Sequence, residues 1–323
     1  MDAEARLLEL INGFQVSQAL HVAAVLGLSD RLAEGPSTVA DLAAATKSDE
    51  RSLGRLLAAL ATVGVYERQP DGRYVSTDLG DALTAERLAD WATFAGGIAM
   101  WHAWGALEHS VRTGQSAFTA AHGDDVWRYR ASHPEEGARF DAAMAALSRR
   151  VGAAVLEAYD FSGCATVADV GGGRGALLAA ILARYPAMKG ILFDQPHVVE
   201  KAPVTPRCEP IGGDLFTPFP FRADAYLLKS ILHDWPDDAA VKILENCRRS
   251  MGPDAIVLLL ERVLTPTARS AAFSDLNMLV SPGGQERSAE DYDGLLRRAG
   301  LYLARVVPTT TEVSIVEARI ASA

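Results

Sequence analysis

The stretch Asp169-Val170-Gly171-Gly172-Gly173-Arg174-Gly175 limits the fold more than any other part of the chain. It follows the apolar run Val167 to Val170, which reads as a strand, and precedes Ala176 to Tyr185, which reads as a helix. A chain passing from strand to helix through glycines can turn sharply there, and its bare backbone lets a ligand come close. Further short apolar runs come after it, Gly190 to Phe193, Ala223 to Leu228 and Ala255 to Leu260, with helical segments such as Asp237 to Met251 between them. Such alternation means a parallel sheet with helices on both faces. The end breaks the pattern. Leu301 to Val307 and Glu312 to Ile320 read as two strands joined by a short turn, a terminal antiparallel hairpin that a dinucleotide dehydrogenase does not usually carry.

The opening ninety or so residues have a different texture. Leu7, Leu8, Leu10, Ile11, Phe14 and Val16 begin an amphipathic helical stretch that runs on through Leu26, and Ser37-Thr38 before Asp41-Leu42 looks like a capped helix start. A helix from Asp49 to Val63 carries Leu53, Leu56, Leu57, Leu60 and Val63 at helical spacing. Val65 to Arg68 and Arg73 to Ser76 flank Asp71-Gly72, a β-hairpin signal. Helices followed by a small hairpin form a winged-helix pattern. From about Asp90 to Arg150 the chain is again helical, with Trp91, Phe94, Trp101, Trp104, Phe118, Trp127, Tyr129 and Phe140. Core packing accounts for many such rings, but as a group they suit a pocket for a planar molecule. Three regions are therefore expected: 1–90, 91–150 and 151–323.

Composition narrows the class. Hydrophobic residues make up 49% and charged residues 22%, as in ordinary globular proteins. No run approaches the length of a membrane span, and the acidic, helix-like start is neither a signal nor a transit peptide, so a cytoplasmic location is expected. A net charge of −10 argues against nucleic acid as the main partner. Cys164, Cys208 and Cys247 are scattered among apolar neighbours and imply neither disulfides nor a zinc site.

The glycine loop alone does not name its ligand, because Gly171-x-Gly173-x-x-Ala176 also fits a dinucleotide fingerprint. Asp194, ending the next strand, can accept both ribose hydroxyls, and that too is common to nicotinamide and adenosylmethionine sites. Two features separate the cases. Asp169 stands two residues before the first glycine, placed for a positively charged amino acid end rather than a pyrophosphate. Asp214, in Gly213-Asp214-Leu215-Phe216 after the third strand, supplies a carboxylate with an apolar pair that can frame an adenine.

Leu228-Lys229-Ser230-Ile231-Leu232-His233-Asp234-Trp235-Pro236-Asp237 ends the fourth strand, and ligands of open α/β sheets bind outside the carboxyl ends of the strands. His233 is thus where proton chemistry is expected. A phenol with a pKa of about 10 leaves only about one part in a thousand as phenolate at pH 7, roughly 4 kcal/mol. A positioned general base contributes about 10²- to 10⁴-fold, the right size for that gap. Alignment of the reacting atoms, up to about 7–11 kcal/mol, is the larger effect. A sulfonium methyl donor is already activated, so no metal is demanded. Glu261, ending the fifth strand, and Glu286, in Gly283-Gly284-Gln285-Glu286-Arg287, are candidates to orient His233 and hold its tautomer. Asp234 is expected to cap the helix that starts near Pro236.

Together these residues resemble the large class of S-adenosylmethionine-dependent O-methyltransferases, which includes plant caffeic acid and flavonoid enzymes and bacterial enzymes of aromatic polyketide and naphthoate tailoring. The likeness spans nearly the whole chain and is most specific in Asp169-Val-Gly-Gly-Gly-x-Gly175, Lys229-x-x-x-His233-Asp-Trp235 and Gly283-Gly-x-Glu286-Arg287. The resemblance implies a class I methyltransferase, Rossmann-like α/β sheet with the terminal hairpin, and an amino-terminal winged-helix-like dimerisation domain. It implies S-adenosylmethionine as methyl donor, S-adenosylhomocysteine as product, a small hydroxylated acceptor and a homodimer. It makes His233 the base between Glu261 and Glu286, and sets Gly171, Gly173, Asp194, Asp214, Leu215 and Lys229 at the cofactor. Ser148, Phe140 and Met144 match the family helix that touches cofactor and substrate, and Trp101, Asn277 and Met278 are further pocket candidates. The chain departs from the plant enzymes in its short amino-terminal region and its compact spacing between Glu261 and Glu286.

Three other readings compete. A metabolite-sensing winged-helix regulator needs a basic face, whereas residues 1–84 hold seven Lys or Arg against twelve Asp or Glu. A nicotinamide oxidoreductase fits neither the terminal hairpin nor the His233 segment. Relatives that have exchanged methyl transfer for hydroxylation or decarboxylation typically lack the histidine, which is present here.

Overall fold

The computed structural model describes residues 2–200, 202 and 206–321. The chain divides into two compact units, Met1–Gly105 with Arg128–Leu147, and Ala106–Trp127 with Ser148–Ala323.

In the first unit, local signals settle the elements. The helix Glu50–Thr62 starts at Asp49, whose carboxylate accepts the Ser52 N–H at 2.8 Å, and the next turn begins at Gly64 with φ 78°. Its Leu53, Leu57 and Leu60 are buried with Leu28, Leu32, Leu42, Tyr66 and Tyr74 in one apolar core. Strands β1 (Tyr66–Arg68) and β2 (Tyr74–Ser76) pair antiparallel across the expected turn, where Gly72 has φ 88°. Ser37 bridges to Tyr74 beside them, completing the wing. The helix Ala3–Ile11 buries none of its residues; Leu7, Leu8, Leu10 and Ile11 are 51–59% exposed, and Phe14 of the next helix is 52% exposed. A contiguous apolar face of this kind marks a contact surface.

The second unit is built on a seven-stranded sheet. Strands β3 (Thr166–Val170), β4 (Lys189–Asp194), β5 (Cys208–Gly212), β6 (Ala225–Lys229) and β7 (Ile256–Glu261) are parallel. Two-residue strands β8 (Val263–Leu264) and β9 (Arg287–Ser288) form a separate parallel pair. Strands β10 (Leu301–Pro308) and β11 (Ser314–Ile320) form the terminal hairpin, which joins the sheet through an antiparallel pairing of β11 with β7. The order is β10-β11-β7-β6-β3-β4-β5.

Both faces of the central strands are covered, so their sequences are continuous apolar runs. Along β7, Val257 and Leu259 face a core with Leu244 and Tyr292, while Ile256, Leu258 and Leu260 face another with Val155, Leu178 and Ile181. Because side chains alternate with a period of two, each polar residue at a strand end falls on a definite face. Glu261 continues the Val257 face; Asp169 continues the Val167 face, and Lys229 the face of Leu227. The hairpin is fastened at Glu317, which is 2% exposed and accepts from Tyr159 Oη at 2.9 Å and from Arg305 Nε at 2.8 Å. Among the described residues no helix is long and apolar enough to cross a membrane.

Candidate active site

Parallel pairing brings five strand ends to one edge of the sheet, and the predicted site residues follow from it. Beyond β3, Gly171, Gly173 and Gly175 all take left-handed backbone, with φ of 73°, 59° and 76°. At Gly171 a Cβ would lie 2.4 Å from Cδ1 of Ile231, so a side chain there would push that side chain aside on top of the strain of its positive φ. At Gly173 a Cβ would meet nothing within 4 Å, so its backbone borders open space. The Gly173 N–H donates to Asp194 Oδ2 at 2.8 Å, and Gln195 N–H to Asp194 Oδ1 at 2.7 Å. Each oxygen keeps acceptor capacity for a ligand hydroxyl.

Asp169 lies deeper than its expected role requires. It is 1% exposed and packs beneath Gly172, where an added Cβ would come within 2.5 Å of its carboxyl carbon. Burial pushes its pKa up to about 7, against the pull of the Lys229 charge, and Asp194 adds to the rise. Burial likewise lowers the pKa of Lys229, which Asp169 and Glu261 oppose. Asp214 is exposed, and its Oδ1 accepts the Phe216 N–H at 2.9 Å, a turn that fixes the Leu215-Phe216 pair. Asn246 Nδ2 donates to the Leu215 carbonyl at 2.9 Å, and the Phe216 ring meets Trp235 edge-on with centroids 4.8 Å apart.

After β6 the chain enters Ser230, a rare non-glycine residue with positive φ (55°), and then the 3₁₀ turn Leu232–Asp234. Strain of this kind persists only where neighbours enforce it. Here Glu261 does so, its Oε1 accepting the N–H groups of Ile231 and Leu232 at 2.9 Å each. His233 is 7% exposed, with Nδ1 3.2 Å from Glu261 Oε2 and 3.4 Å from Glu286 Oε1. On the far side of the ring, Nε2 is 3.6 Å from Asp234 Oδ1, beyond hydrogen-bond distance. Burial alone would depress the imidazole pKa, but the nearby Glu261 carboxylate, then Glu286 and Asp234, outweigh it and raise the pKa well above 6.5. Glu286 moves the other way: burial raises it, and the nearby His233 together with the Ser274 hydroxyl brings it below its usual value.

Ligand-type atoms of His233, Glu261 and Glu286 lie within 4.8 Å of one another, a spacing that metal trios share. Among the described residues, His233 Nδ1, Glu261 Oε2 and Glu286 Oε2 are buried without a hydrogen-bond partner. Glu261 Oε1 already holds two backbone N–H groups, and Glu286 Oε1 accepts Ser274 Oγ at 2.7 Å. The sequence reading missed Ser274, and also Asp275, whose Oδ1 accepts the Glu286 N–H at 2.8 Å.

One expectation is corrected. Asp234 does not cap the following helix: Asp237–Ser250 begins from Pro236 at the N-cap with no side-chain bond, and Asp234 belongs to the 3₁₀ turn. Asp237 and Asp238 in the first turn supply the negative charge that a helix start favours.

The remaining candidates are distributed between the units. Ser148 is buried in the second unit, as is Met278, while Asn277 is half-buried on the same helix as Ser274 (Arg269–Val280). Trp101, Phe140 and Met144 belong to the first unit, where Phe140 packs edge-on against Phe94 at 5.6 Å and beneath the Arg130 guanidinium at 3.6 Å.

A family model described as O-methyltransferase domain matches residues 104–302, and one described as O-methyltransferase dimerisation domain matches residues 8–86. The chain is 40% identical to a phenazine O-methyltransferase of Lysobacter antibioticus, over 97% of this chain and 95% of that protein. It is 39% identical to the mitomycin biosynthesis 6-O-methyltransferase of Streptomyces lavendulae, over 98% of this chain and 95% of the relative. Among solved structures, a methyltransferase of calicheamicin biosynthesis with bound S-adenosylhomocysteine superposes with a TM-score of 0.90 at 34% identity, covering 99% of this chain and 100% of that one. The chain belongs to the O-methyltransferase family.

Proposed function

We propose that this chain transfers the methyl group of S-adenosylmethionine to a hydroxyl of a small aromatic natural product, with His233 as the general base. The observation that carries the reading is the buried imidazole at the carboxyl end of β6, faced at Nδ1 by two carboxylates. A proton on Nδ1 is stabilised by Glu261 and Glu286, which leaves the Nε2 lone pair to take a proton from the acceptor. The glycine loop fits the donor, because Gly173 borders open space and Asp194 keeps free acceptor positions. The bound donor supplies a cationic sulfonium whose methyl carbon is the electrophile. Everything else falls to the protein: it orders the acceptor oxygen in line with that carbon and removes the hydroxyl proton as attack proceeds.

The relatives named for phenazine and mitomycin chemistry support an aromatic acceptor. Trp101, Phe140, Met144, Asn277 and Met278 are assigned to acceptor binding, and Ser148, Gly171, Asp214, Leu215 and Lys229 to the cofactor, on the sequence reading. For Asp169 a direct contact with the amino acid end is less well supported than a place beneath the loop. The match to a dimerisation domain and the uncovered apolar helix Ala3–Ile11 support a homodimer in which a second copy covers that face.

Calorimetric titration with S-adenosylmethionine and separately with NADH tests the donor, and a screen of hydroxylated aromatics for methyl gain by mass tests the transfer. Micromolar binding of the first alone, with a methylated product, is the expected outcome. Binding of NADH alone by folded protein would contradict the assignment.

A further inference from the structure

One short segment, Gln285 to Arg287, which runs into β9, grips the backbone carbonyls of Leu232, His233 and Trp235. The Gln285 N–H donates to the His233 carbonyl at 2.8 Å. Arg287 donates from Nη1 to the Leu232 carbonyl and from Nη2 to the Trp235 carbonyl, each at 2.8 Å. Its Nη2 and Nε also reach Asp237 Oδ1, at 2.8 and 3.1 Å, and Gln285 Nε2 joins that same oxygen at 2.9 Å. The two segments meet so closely that a Cβ on Gly284 would lie 1.9 Å from the His233 carbonyl oxygen.

Arg287 is 2% exposed, whereas the side chain of Asp237, its ion-pair partner, is 50% exposed. Burying a guanidinium against a half-solvated carboxylate is a poor device for stability, because desolvation offsets much of the attraction. A rigid planar fork is, however, suited to holding two carbonyls at fixed separation. Arg287 pairs with Val263 through the β8–β9 ladder, two residues past Glu261, and it directly follows Glu286. Glu286 is therefore tied to the segment that grips the turn by covalent chain, and Glu261 by the β8–β9 ladder.

We propose that Arg287 is a positioning residue for methyl transfer: by fixing the carbonyls of Leu232 and Trp235 it seats the His233 imidazole between Glu261 and Glu286. The proposal rests on His233 being the base. Arg287 touches no reacting atom. Its effect passes through the backbone of the turn, and a lysine ammonium, whose donors all sit on one compact nitrogen, cannot span the two carbonyls as Nη1 and Nη2 do.

The test compares Arg287→Lys, Asp237→Asn and His233→Ala with the parent enzyme, by kcat, KM for the acceptor, donor affinity by calorimetry, and the pH profile of kcat. The groups that face the imidazole are Glu261, Glu286 and Asp234, and a loosened turn weakens their hold on it. Arg287→Lys should lower kcat by about 10- to 100-fold with KM and donor affinity nearly unchanged, and its ascending limb should move toward the ordinary imidazole value. Asp237→Asn, altered at a half-exposed site, should act in the same direction by a smaller factor, and it decides the matter if Arg287→Lys does not fold. A folded Arg287→Lys with an unmoved pH profile, whatever its kcat, overturns the proposal. So does an unmoved profile in Asp237→Asn where that variant decides. Should His233→Ala keep a rate near that of the parent, the base assignment itself has failed; an inactive His233→Ala beside an unaffected Arg287→Lys removes the positioning role alone.

Discussion

Glu261 divides its carboxylate between the backbone and the side chain of one turn. Oε1 accepts the N–H groups of Ile231 and Leu232 at 2.9 Å, and Oε2 stands 3.2 Å from Nδ1 of His233. Replacement by glutamine separates the two duties. In Glu261→Gln the amide oxygen can still accept both backbone N–H groups, but its NH₂ then faces Nδ1 and favours the tautomer with the proton on Nε2, the wrong one for a base. Folding should be kept and kcat should fall by about 10- to 100-fold, because Glu286 still faces the ring. Steady-state kinetics beside a thermal melt would show it. Equal losses of stability and rate would assign Glu261 a purely structural part.

The pH response has a definite sign. His233 titrates above 6.5 in the donor-free chain, since Glu261, Glu286 and Asp234 outweigh its burial. The neutral imidazole therefore becomes populated only as pH rises, and if His233 is the base the rate should climb through a limb above the ordinary imidazole value. A cationic donor bound nearby opposes the imidazolium and should lower that pKa. For stability, the contribution of this group is complete below about 6.5 and is lost as pH rises through the raised folded value. NMR titration of the His233 ring, with and without donor, measures both positions. A ring pKa at or below 6.5 without donor would contradict the electrostatics described here.

Much of this was legible because the signals are local. The glycine loop after an apolar strand, the Asp71-Gly72 turn and the continuous run of β7 each depend on residues adjacent in sequence, and the carboxyl ends of parallel strands then converge by topology alone. The parts that sequence did not reveal are long-range contacts to groups every residue carries. Arg287 grips backbone carbonyls more than fifty residues away, and no residue type announces a carbonyl as a partner. Gly284 is required by the closeness of a second segment, and Ser274 and Asp275 read as ordinary helix polar residues until Glu286 is placed beside them. Asp234 misled because an acid two residues before a proline-started helix has the pattern of a cap, while the 3₁₀ turn carries it to the imidazole instead.

Gly284→Ala probes the seam between the two segments. Its Cβ would fall 1.9 Å from the His233 carbonyl oxygen, so backbone must move. We expect a loss of about 1–3 kcal/mol in unfolding free energy, typical of overpacking, with a fall in kcat and no change in donor affinity at the glycine loop. Denaturant melts with calorimetry separate these effects, and unaltered kinetics would show that the turn tolerates displacement.

The uncovered helix Ala3–Ile11 makes a prediction about assembly. Leu8→Glu with Ile11→Glu places charge on residues that are each 59% exposed in the single chain, so the fold of one copy should survive. Sedimentation should show a dimer for the parent chain and a monomer for the double variant. A variant that still sediments as the parent does would place the contact elsewhere.

The most direct test of the central claim is single-turnover methyl transfer by His233→Ala, with donor affinity measured on the same preparation. If neutral His233 removes the hydroxyl proton, the rate falls by roughly 10²-fold or more while donor affinity stays near that of the parent. A rate close to the parent's, with the donor equally well bound, would mean that alignment alone drives the transfer and that His233 is not the base.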